Sequence, residues 1–242
     1  MFRHASYYYV FTSDKTSNVP AWLCVVLTNS PFVTCVYYKN KKTGGRVYFL
    51  STNGQYLKDN PEIAKRLTPY EVSVDKFVAR ALDLHFTTAF MCLRYTACLT
   101  TQIGTSRELN RTSPNNIAEQ STRYVNFNCP GRNITICVPH WYADAHWTKK
   151  LLANVAWKCG EWFYRIAQFL GLPPEDARGF LPLETATRVA YTYSAFEWRH
   201  IFQLRMIGTT GKPHPNAKIA ASLMHEVIIP QHRCYAGADA SL

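Results

Sequence analysis

The sequence lacks the features that assign a chain quickly to a common class of protein. None of its apolar runs reaches about 18 residues, so we expect no segment that crosses a membrane as a helix. It contains no serine elbow, no Walker loop and no dinucleotide-binding G-x-G-x-x-G motif, which disfavours simple hydrolases, kinases and Rossmann enzymes. The first residues include Arg3 and His4 but no apolar segment with a cleavage site, so we expect no secretory signal.

The eight cysteines are not spaced like metal ligands. No C-x-x-C pair occurs, and His85, His140 and His146 also lack the spacing that is typical of a zinc site. Reduced thiols in a cytoplasmic protein are the simplest interpretation, because no secretory signal is expected. We therefore expect neither a metal site nor a structural disulfide.

The net charge of +11 indicates an anionic partner. Nucleic acid is the usual partner of such a basic protein, but only Lys39, Lys41 and Lys42 form a tight basic cluster. The other basic residues are spread along the chain, which fits a pocket for phosphorylated ligands better than a nucleic-acid surface. A hydrophobic fraction of 47% is enough to build a core, and the length of 242 residues suits one domain.

The first 75 residues are predicted to be rich in strands and integral to the fold. Residues 22–27 form a short apolar run, and residues 33–38 and 46–50 are rich in β-branched and aromatic side chains. The turn-forming segment between the last two predicts a hairpin. Two short helices are predicted after residue 60, where an asparagine and a proline provide a start signal.

The remaining region, residues 76–242, is predicted to mix strands and helices. Threonine-rich alternation predicts strands, and apolar residues near a period of 3.6 predict helices. The predicted strands are residues 86–101 and 133–138, and the predicted helices are residues 102–112, 147–170, a segment beginning at 173, 184–207 and 215–227. The predicted fold class is α+β, with a β-containing N-terminal half and a helical C-terminal half.

The densest group of polar side chains brackets a Pro-Asn-Asn loop. Before the loop stand Arg107, Glu108 and Arg111-Thr112-Ser113, and after it stand Glu119 and Ser121-Thr122-Arg123-Tyr124. Arginine pairs bidentately with phosphate, and hydroxyl groups and loop amides satisfy the remaining oxygens. The cluster favours a phosphate or nucleotide site, and a solvated loop whose charges pair with each other is the alternative.

Two further polar groups lie in the predicted helices. Arg178 stands in an early helical turn, where the helix dipole disfavours a cation, so we expect an anion or a carboxylate near it. Glu197, His200 and Arg205 follow one another along another predicted helix, although a lone histidine in such a position is more often structural.

Taken in order, these pieces resemble the flavin-dependent thymidylate synthase (ThyX) family. The family signature is R-H-R, seven residues and S-x-R-Y, and here Arg111-Thr112-Ser113 and Ser121-Thr122-Arg123-Tyr124 occupy the same frame. The segment from Ala177-Arg178 to Leu183 is similar to the family's A-R-x-x-L-P, and Glu197-Trp198-Arg199-His200 up to Arg205 is similar to its W-R-H helix. His214-Pro215-Asn216 stands where many members have H-P-Q. The resemblance covers roughly residues 85–230.

The sequence departs from the family at positions that contact flavin in relatives. Thr112 and Ser113 replace the signature histidine and second arginine, and Ser194 and Phe196 replace an asparagine and an arginine. The upstream histidine segment is reduced to His85. The chain is therefore identified as a diverged member with an altered signature, in which the nucleotide-facing residues are largely present.

The resemblance implies that dUMP is methylated at C5. Methylenetetrahydrofolate would supply the carbon, reduced FAD would supply the hydride, and NADPH would reduce the flavin. The resemblance also implies the family's α/β core, assembled as a homotetramer with active sites between subunits. All of these ligands are anionic, which agrees with a basic protein that has no nucleic-acid arm.

The resemblance also implies roles for individual residues. Arg205 and Ser121 would be catalytic, and Arg205 would stabilise negative charge on the uracil as C5 becomes nucleophilic. The residues implied to bind dUMP are Glu108, Arg111, Glu119, Ser121, Thr122, Arg123, Arg178 and Arg205. The residues implied to hold the flavin cofactor are His85, Arg111, Thr112, Ser113, Ser194 and His200.

Two alternatives remain open because the flavin-facing residues differ. In the first, water intercepts the activated one-carbon adduct, and the product is a hydroxymethylated pyrimidine nucleotide. In the second, the chain is a homologue that binds nucleotide and has lost flavin.

Overall fold

The structure, a computed structural model, describes residues 2–13, 32–113, 116–122, 126–129 and 133–237. The strands in this part of the chain are β1 (Ser6–Ser13), β2 (Thr34–Lys39), β3 (Arg46–Asn53), β4 (Glu71–Val72), β5 (Arg94–Gln102), β6 (Ile117–Glu119) and β7 (Ala186–Ser194). The α-helices are α1 (Gly54–Asp59), α2 (Pro61–Leu67), α3 (Val74–Asp83), α4 (Ile103–Asn110), α5 (Trp147–Phe169), α6 (Pro174–Ala177), α7 (Ala195–Phe202) and α8 (Pro215–Ala236).

The first four strands form an antiparallel sheet in the order β2-β3-β1-β4. β1 and β3 pair along their whole length, from Ser6 opposite Asn53 to Ser13 opposite Arg46. Both strands are rich in aromatic and aliphatic side chains, which pack well on a pleated surface. The hairpin predicted for residues 33–38 and 46–50 is confirmed as the pair β2 and β3.

A second antiparallel sheet has the order β5-β7-β6. β7 lies in the middle, with Ala97 opposite Tyr191 on one side and Ala118 opposite Ala190 on the other. Side chains alternate between the two faces of a strand. Val189 and Tyr191 are buried under α4 and α8, whereas Arg188 is exposed, so one face is covered by helices and the other faces outward.

One apolar core connects the two sheets. Trp198 of α7 is fully buried; its ring stacks on Phe202 with centroids 5.6 Å apart and meets Tyr193 edge-on at 5.2 Å. Tyr8 of β1 and Phe49 of β3 belong to the same cluster. The N-terminal sheet therefore shares its core with the helices, and the α+β class predicted from the sequence is confirmed.

Several helices begin at residues whose side chains satisfy free backbone groups. Ser194 caps α7 by a reciprocal capping box with Glu197, and His214 caps α8 ahead of Pro215. The 23-residue helix α5 differs from the others because only Tyr164 and Ala167 are buried along it. Within the described ranges, no helix is both long enough and apolar enough to span a bilayer.

The prediction of one long helix over residues 184–207 is wrong. Residues Ala186–Ser194 form β7, the central strand of the second sheet, and α7 begins only at Ala195. The segment contains Thr187, Val189 and Tyr191, and such β-branched and aromatic residues favour a buried strand when a sheet is available to them. A π-helical turn, Gln203–Ile207, follows α7 and carries Arg205.

Other predicted boundaries also change. The strand predicted for residues 86–101 begins only at Arg94, because a 3₁₀ segment, Thr87–Cys92, precedes it. The strand predicted for residues 133–138 is reduced to a single bridge between Ile136 and Thr185. The last helix continues to Ala236 although Pro230 lies inside it. The predicted apolar run at residues 22–27 lies outside the described residues.

Candidate functional site

Arg178 and Thr122, which are far apart in the sequence, meet in the structure. Arg178 Nη1 donates a hydrogen bond to Thr122 Oγ1 at 3.2 Å, across 56 residues of sequence. Arg178 is exposed, so its guanidinium can bind another group as well. Ser121 lies beside Thr122 just after β6, whereas Arg123 lies outside the described residues.

The position of Arg178 depends on a close approach of α5. The prediction that Arg178 stands in an early helical turn is wrong, because α6 ends at Ala177. Arg178 follows that end and begins a 3₁₀ turn, Arg178–Phe180, that packs on the middle of α5. A Cβ atom at Gly160 would lie 2.9 Å from Phe180 O and 3.2 Å from Pro182 Cδ. Only glycine at position 160 therefore allows the segment that carries Arg178 to lie this close to the helix.

Arg205 is held by the end of α4. Its Nη1 forms a partly buried ion pair with Glu108 Oε1 at 2.7 Å, and its Nη2 donates to Glu108 O at 2.8 Å. Its Nε donates to Thr112 Oγ1 at 2.9 Å. Arg205, Glu108 and Thr112, which the resemblance implies as site residues, are thus brought together. The guanidinium of Arg205 is held along two of its edges.

Glu119 is connected to α4 through polar side chains. Ser106 Oγ donates to Glu119 Oε1 at 2.6 Å, and Asn110 Nδ2 donates to Oε2 at 3.2 Å. Tyr191 OH in turn donates to Asn110 Oδ1 at 2.9 Å. Burial raises the pKa of Tyr191, so this phenol is a neutral donor that fixes the asparagine amide.

Ser113 and Ser194 both contact the carboxyl group of Glu197. Ser113 Oγ donates to Glu197 Oε1 at 3.1 Å, and Ser194 N donates to Glu197 Oε2 at 3.2 Å. Burial raises the pKa of Glu197, while the charge of Arg94 and these hydrogen bonds oppose the shift. The contact joins the loop after α4 to the first turn of α7.

Arg94 is a charged residue near this site that the sequence analysis did not single out. It is buried on β5 beside Ser194, and its Nη2 donates to Thr192 O at 3.2 Å. Among the residues that the structure describes, its Nε and Nη1 have no hydrogen-bond partner. An arginine inside a strand of otherwise uncharged residues was the available signal, because buried arginines are rare unless they have a specific partner.

The other residues implied to hold a cofactor are exposed. Arg111 follows α4 directly, and His200 lies one turn beyond Glu197 on α7. His85 is also exposed and has a positive φ of 49°. No described contact joins His85 to the Ser113 segment. The part of the chain that the structure describes contains no group of three His, Cys, Asp or Glu residues that could bind a metal ion.

The sequence matches one family over most of its length. The family is described as "Thymidylate synthase complementing protein", and the match covers residues 44–230. The matched region contains all the residues named for the candidate site, from His85 to Arg205. No curated protein sequence matches this chain.

Solved structures also resemble the chain. One is the UMP/dUMP methylase PolB from Streptomyces cacaoi bound with 5-Br UMP, with 19% sequence identity and a TM-score of 0.49. The likeness covers 66% of this chain and 81% of that one. The same methylase bound with 5-Br dUMP is 20% identical over 63% of this chain and 73% of that one, also with a TM-score of 0.49.

Proposed function

Because the chain belongs to the thymidylate synthase complementing protein family, we propose that it is a flavin-dependent thymidylate synthase that methylates dUMP at C5. The family resemblance predicted from the motifs around Arg111, Ser121, Arg178 and Arg205 is confirmed by the match over residues 44–230. The departures at Thr112, Ser113, Ser194 and Phe196 make the chain a diverged member.

The contact between Arg178 and Thr122 is the observation that carries the proposal. It joins two separate family motifs, and it presents a guanidinium, a hydroxyl group and the backbone of the Ser121-Thr122 loop at one place. These are the groups that bind a phosphate monoester, since arginine pairs with two oxygens and hydroxyl and amide groups donate to the third. We assign the 5′-phosphate of dUMP to this place, with Arg123 following directly in the sequence.

Arg205 is the residue we assign to the uracil. When a nucleophile develops at C5, negative charge moves onto the O4 carbonyl, and a fixed cation nearby stabilises that charge. Glu108 and Thr112 hold the guanidinium of Arg205 before the reaction, so little reorganisation is needed. Ser121 and Glu119 border the same loop and complete the proposed nucleotide site, together with Arg111.

The chemistry of the flavin-side residues fits the anionic arm of FAD. Arg111 and His200 are exposed donors, and Thr112 Oγ1 accepts from Arg205, so its own hydrogen is free to be donated. Ser113 and Ser194 contribute less, because both already contact Glu197. Bound FAD would supply the hydride, and these side chains would hold it; His85 is the remaining residue that we assign to this group.

NADPH and methylenetetrahydrofolate are the co-substrates in this proposal. We also propose that the protein assembles as a homotetramer and that it is located in the cytoplasm. Exposed apolar side chains on α5 support the tetramer, since Leu152 is 71% exposed and Phe169 is 89% exposed. Apolar patches of this kind usually mark protein interfaces. The family's place in nucleotide metabolism supports the location.

The test is the absorbance spectrum of the purified protein followed by analysis of its product. We expect flavin absorbance bands, and we expect dTMP after incubation with dUMP, methylenetetrahydrofolate and NADPH. A 5-hydroxymethyl product would instead assign the chain to the hydroxymethylase alternative. A colourless protein that binds dUMP but cannot be loaded with FAD would leave only the nucleotide-binding alternative.

A further inference from the structure

The outward face of the second sheet has side chains that the proposed reaction does not yet use. Arg188 and Ala190 of β7 both lie on this face: Thr100 of β5 pairs with Arg188, and Ala190 is flanked by Cys98 of β5 and Ala118 of β6. Gln120 N donates to Arg188 O at 2.8 Å, which places Gln120 beside Arg188. Paired residues of antiparallel strands share a face. Two rows of side chains therefore cross the sheet. The first row consists of Thr100, Arg188 and Gln120, and the second consists of Cys98, Ala190 and Ala118.

These rows line a cavity of about 580 Å³ on the sheet. This volume lies within the range of about 300–1,000 Å³ that is typical of small-molecule sites. One row carries only methyl and thiol groups, so the floor of the cavity is flat and mostly apolar. The other row places an arginine, an amide and a hydroxyl group along one side.

Arg188 is the cation of this cavity. It is exposed, and within the described ranges its guanidinium makes no ion pair and no hydrogen bond. An arginine of this kind can bind a carboxylate or a phosphate bidentately. The combination of a flat apolar floor with one arginine at its side suits a ring system that carries an anionic tail.

We propose that this cavity binds the second reactant, a flat heteroaromatic ring system with an anionic tail, whose anion pairs with Arg188. The inference deepens the proposed function, on which it rests, because that reaction needs such a molecule besides the nucleotide. A folate, whose tail ends in carboxylates, has this chemistry. A flavin nucleotide, whose tail is a phosphate, shares it, and its binding here would place the flavin on this sheet and not at Arg111 and His200.

The cavity adjoins the proposed nucleotide site. Gln120 is separated from Thr122 by one residue, and two extended residues span about 7 Å. Arg178, which contacts Thr122, and Arg188, which lies beside Gln120, are therefore connected through the short segment that leaves the edge strand β6. A ring on the sheet and a nucleotide at Arg178 would be close to each other.

The test uses the full chain and measures binding by titration calorimetry with three separate probes: folic acid, flavin mononucleotide and dUMP. Arg188→Gln removes the cation, and Ala118→Trp fills the floor from the edge strand. Arg80→Gln, an exposed arginine on α3, is the matched control. Thermal unfolding of each variant establishes that it folds.

We expect at least one of the two ring probes to bind the wild-type chain, and both cavity variants to weaken that binding about 10-fold or more. dUMP binding should change less than 3-fold, and the Arg80→Gln variant should behave like the wild type. The probe that binds identifies the tail as carboxylate or phosphate.

The inference is overturned if neither ring probe binds, or if the Arg188→Gln variant binds the ring probe as tightly as the wild type does. A wild-type chain that binds folic acid but not dUMP would contradict the proposed function and leave this cavity standing.

Discussion

At the scale of single residues, the proposed nucleotide site is built from arginines that the protein itself holds in place. Glu108 contacts Arg205 through both its carboxylate and its backbone carbonyl. Such bonds fix the direction of the guanidinium, and a fixed charge stabilises a developing anion better than a mobile one. Arg178 is less constrained, with one bond to Thr122, so its contribution is expected to lie in binding.

Arg178→Ala should weaken the binding of dUMP by about 10- to 150-fold. A charge-assisted hydrogen bond to phosphate contributes about 1.5–3 kcal/mol, and the variant loses it without exposing a core residue. Titration calorimetry with dUMP measures the change. Lys41→Ala, an exposed cation in the turn between β2 and β3, is the control and should bind almost like the wild type. Equal losses in the two variants would show that the phosphate lies elsewhere.

Glu197→Gln should change how stability depends on pH. Burial raises the pKa of Glu197, so the folded state keeps its proton at a pH where the unfolded state has lost it. This stabilising contribution is complete below the ordinary pKa of 4.5 and is lost as the pH rises through the higher folded value.

Urea unfolding of the wild type and of Glu197→Gln over a range of pH tests this. The free energy of unfolding of the wild type, relative to the variant, should be highest in acid and should fall as the pH increases above 4.5. A relative stability that increases with pH would contradict the assigned direction of the shift.

Most of these residues were identifiable from sequence motifs, but their partners were not. Glu108 and Arg205 were both assigned to dUMP, and the structure pairs them across 97 residues of sequence. Arg94 was missed because it belongs to no motif; its importance follows from burial, which depends on the whole fold. Spacing along the chain predicts which residues matter, whereas contacts between distant segments need the tertiary structure.

At the scale of elements, α5 and the segment after α6 depend on each other through Gly160. Replacing a helical glycine by alanine normally stabilises a helix by about 1 kcal/mol. Here the added Cβ meets Phe180 O, a backbone atom, and the proline ring of Pro182. The backbone must shift to make room, and the segment that moves carries Arg178.

Gly160→Ala should therefore weaken dUMP binding several-fold and lower the melting temperature, although alanine is the better helix former. Calorimetry and thermal unfolding measure the two effects. Gly179→Ala is the matched control, because nothing lies within 4 Å of a Cβ at position 179. A Gly160→Ala variant that is more stable and binds normally would show that the segment can adjust without cost.

The elements were easiest to predict where local signals decide them. The hairpin of β2 and β3 and the helix α5 follow directly from composition and periodicity. β7 was predicted as part of one helix over residues 184–207, although Val189, Tyr191 and Tyr193 alternate as in a strand. Its real conformation is decided by pairing with β5 and β6, and these partners are distant in the sequence.

At the scale of the whole molecule, the exposed apolar residues of α5 need a covering surface. Leu152 and Trp162 are 71% and 60% exposed. In a double variant, Leu152→Asp with Trp162→Asp, the buried charges would break a homotetramer contact. Light scattering should then give a smaller mass than for the wild type, with circular dichroism unchanged.

Lys76→Asp on α3 is the control for the added charge and should keep the wild-type mass. A wild type that is already monomeric, or a double variant that keeps the full mass, would show that α5 is not the contact. The expected tetramer came from the resemblance; the sequence pattern of α5 predicted a helix but did not indicate which of its faces is covered.

The common core of the two sheets has a consequence for where the chain can be cut. The family match begins at residue 44, between β2 and β3, although β3 is an interior strand of the first sheet. A chain shortened to that boundary would lose β1 and β2 together, and both sides of β3 would present unpaired amide and carbonyl groups. Open hydrogen-bonding rows of this kind recruit other chains, so we expect such a shortened protein to aggregate.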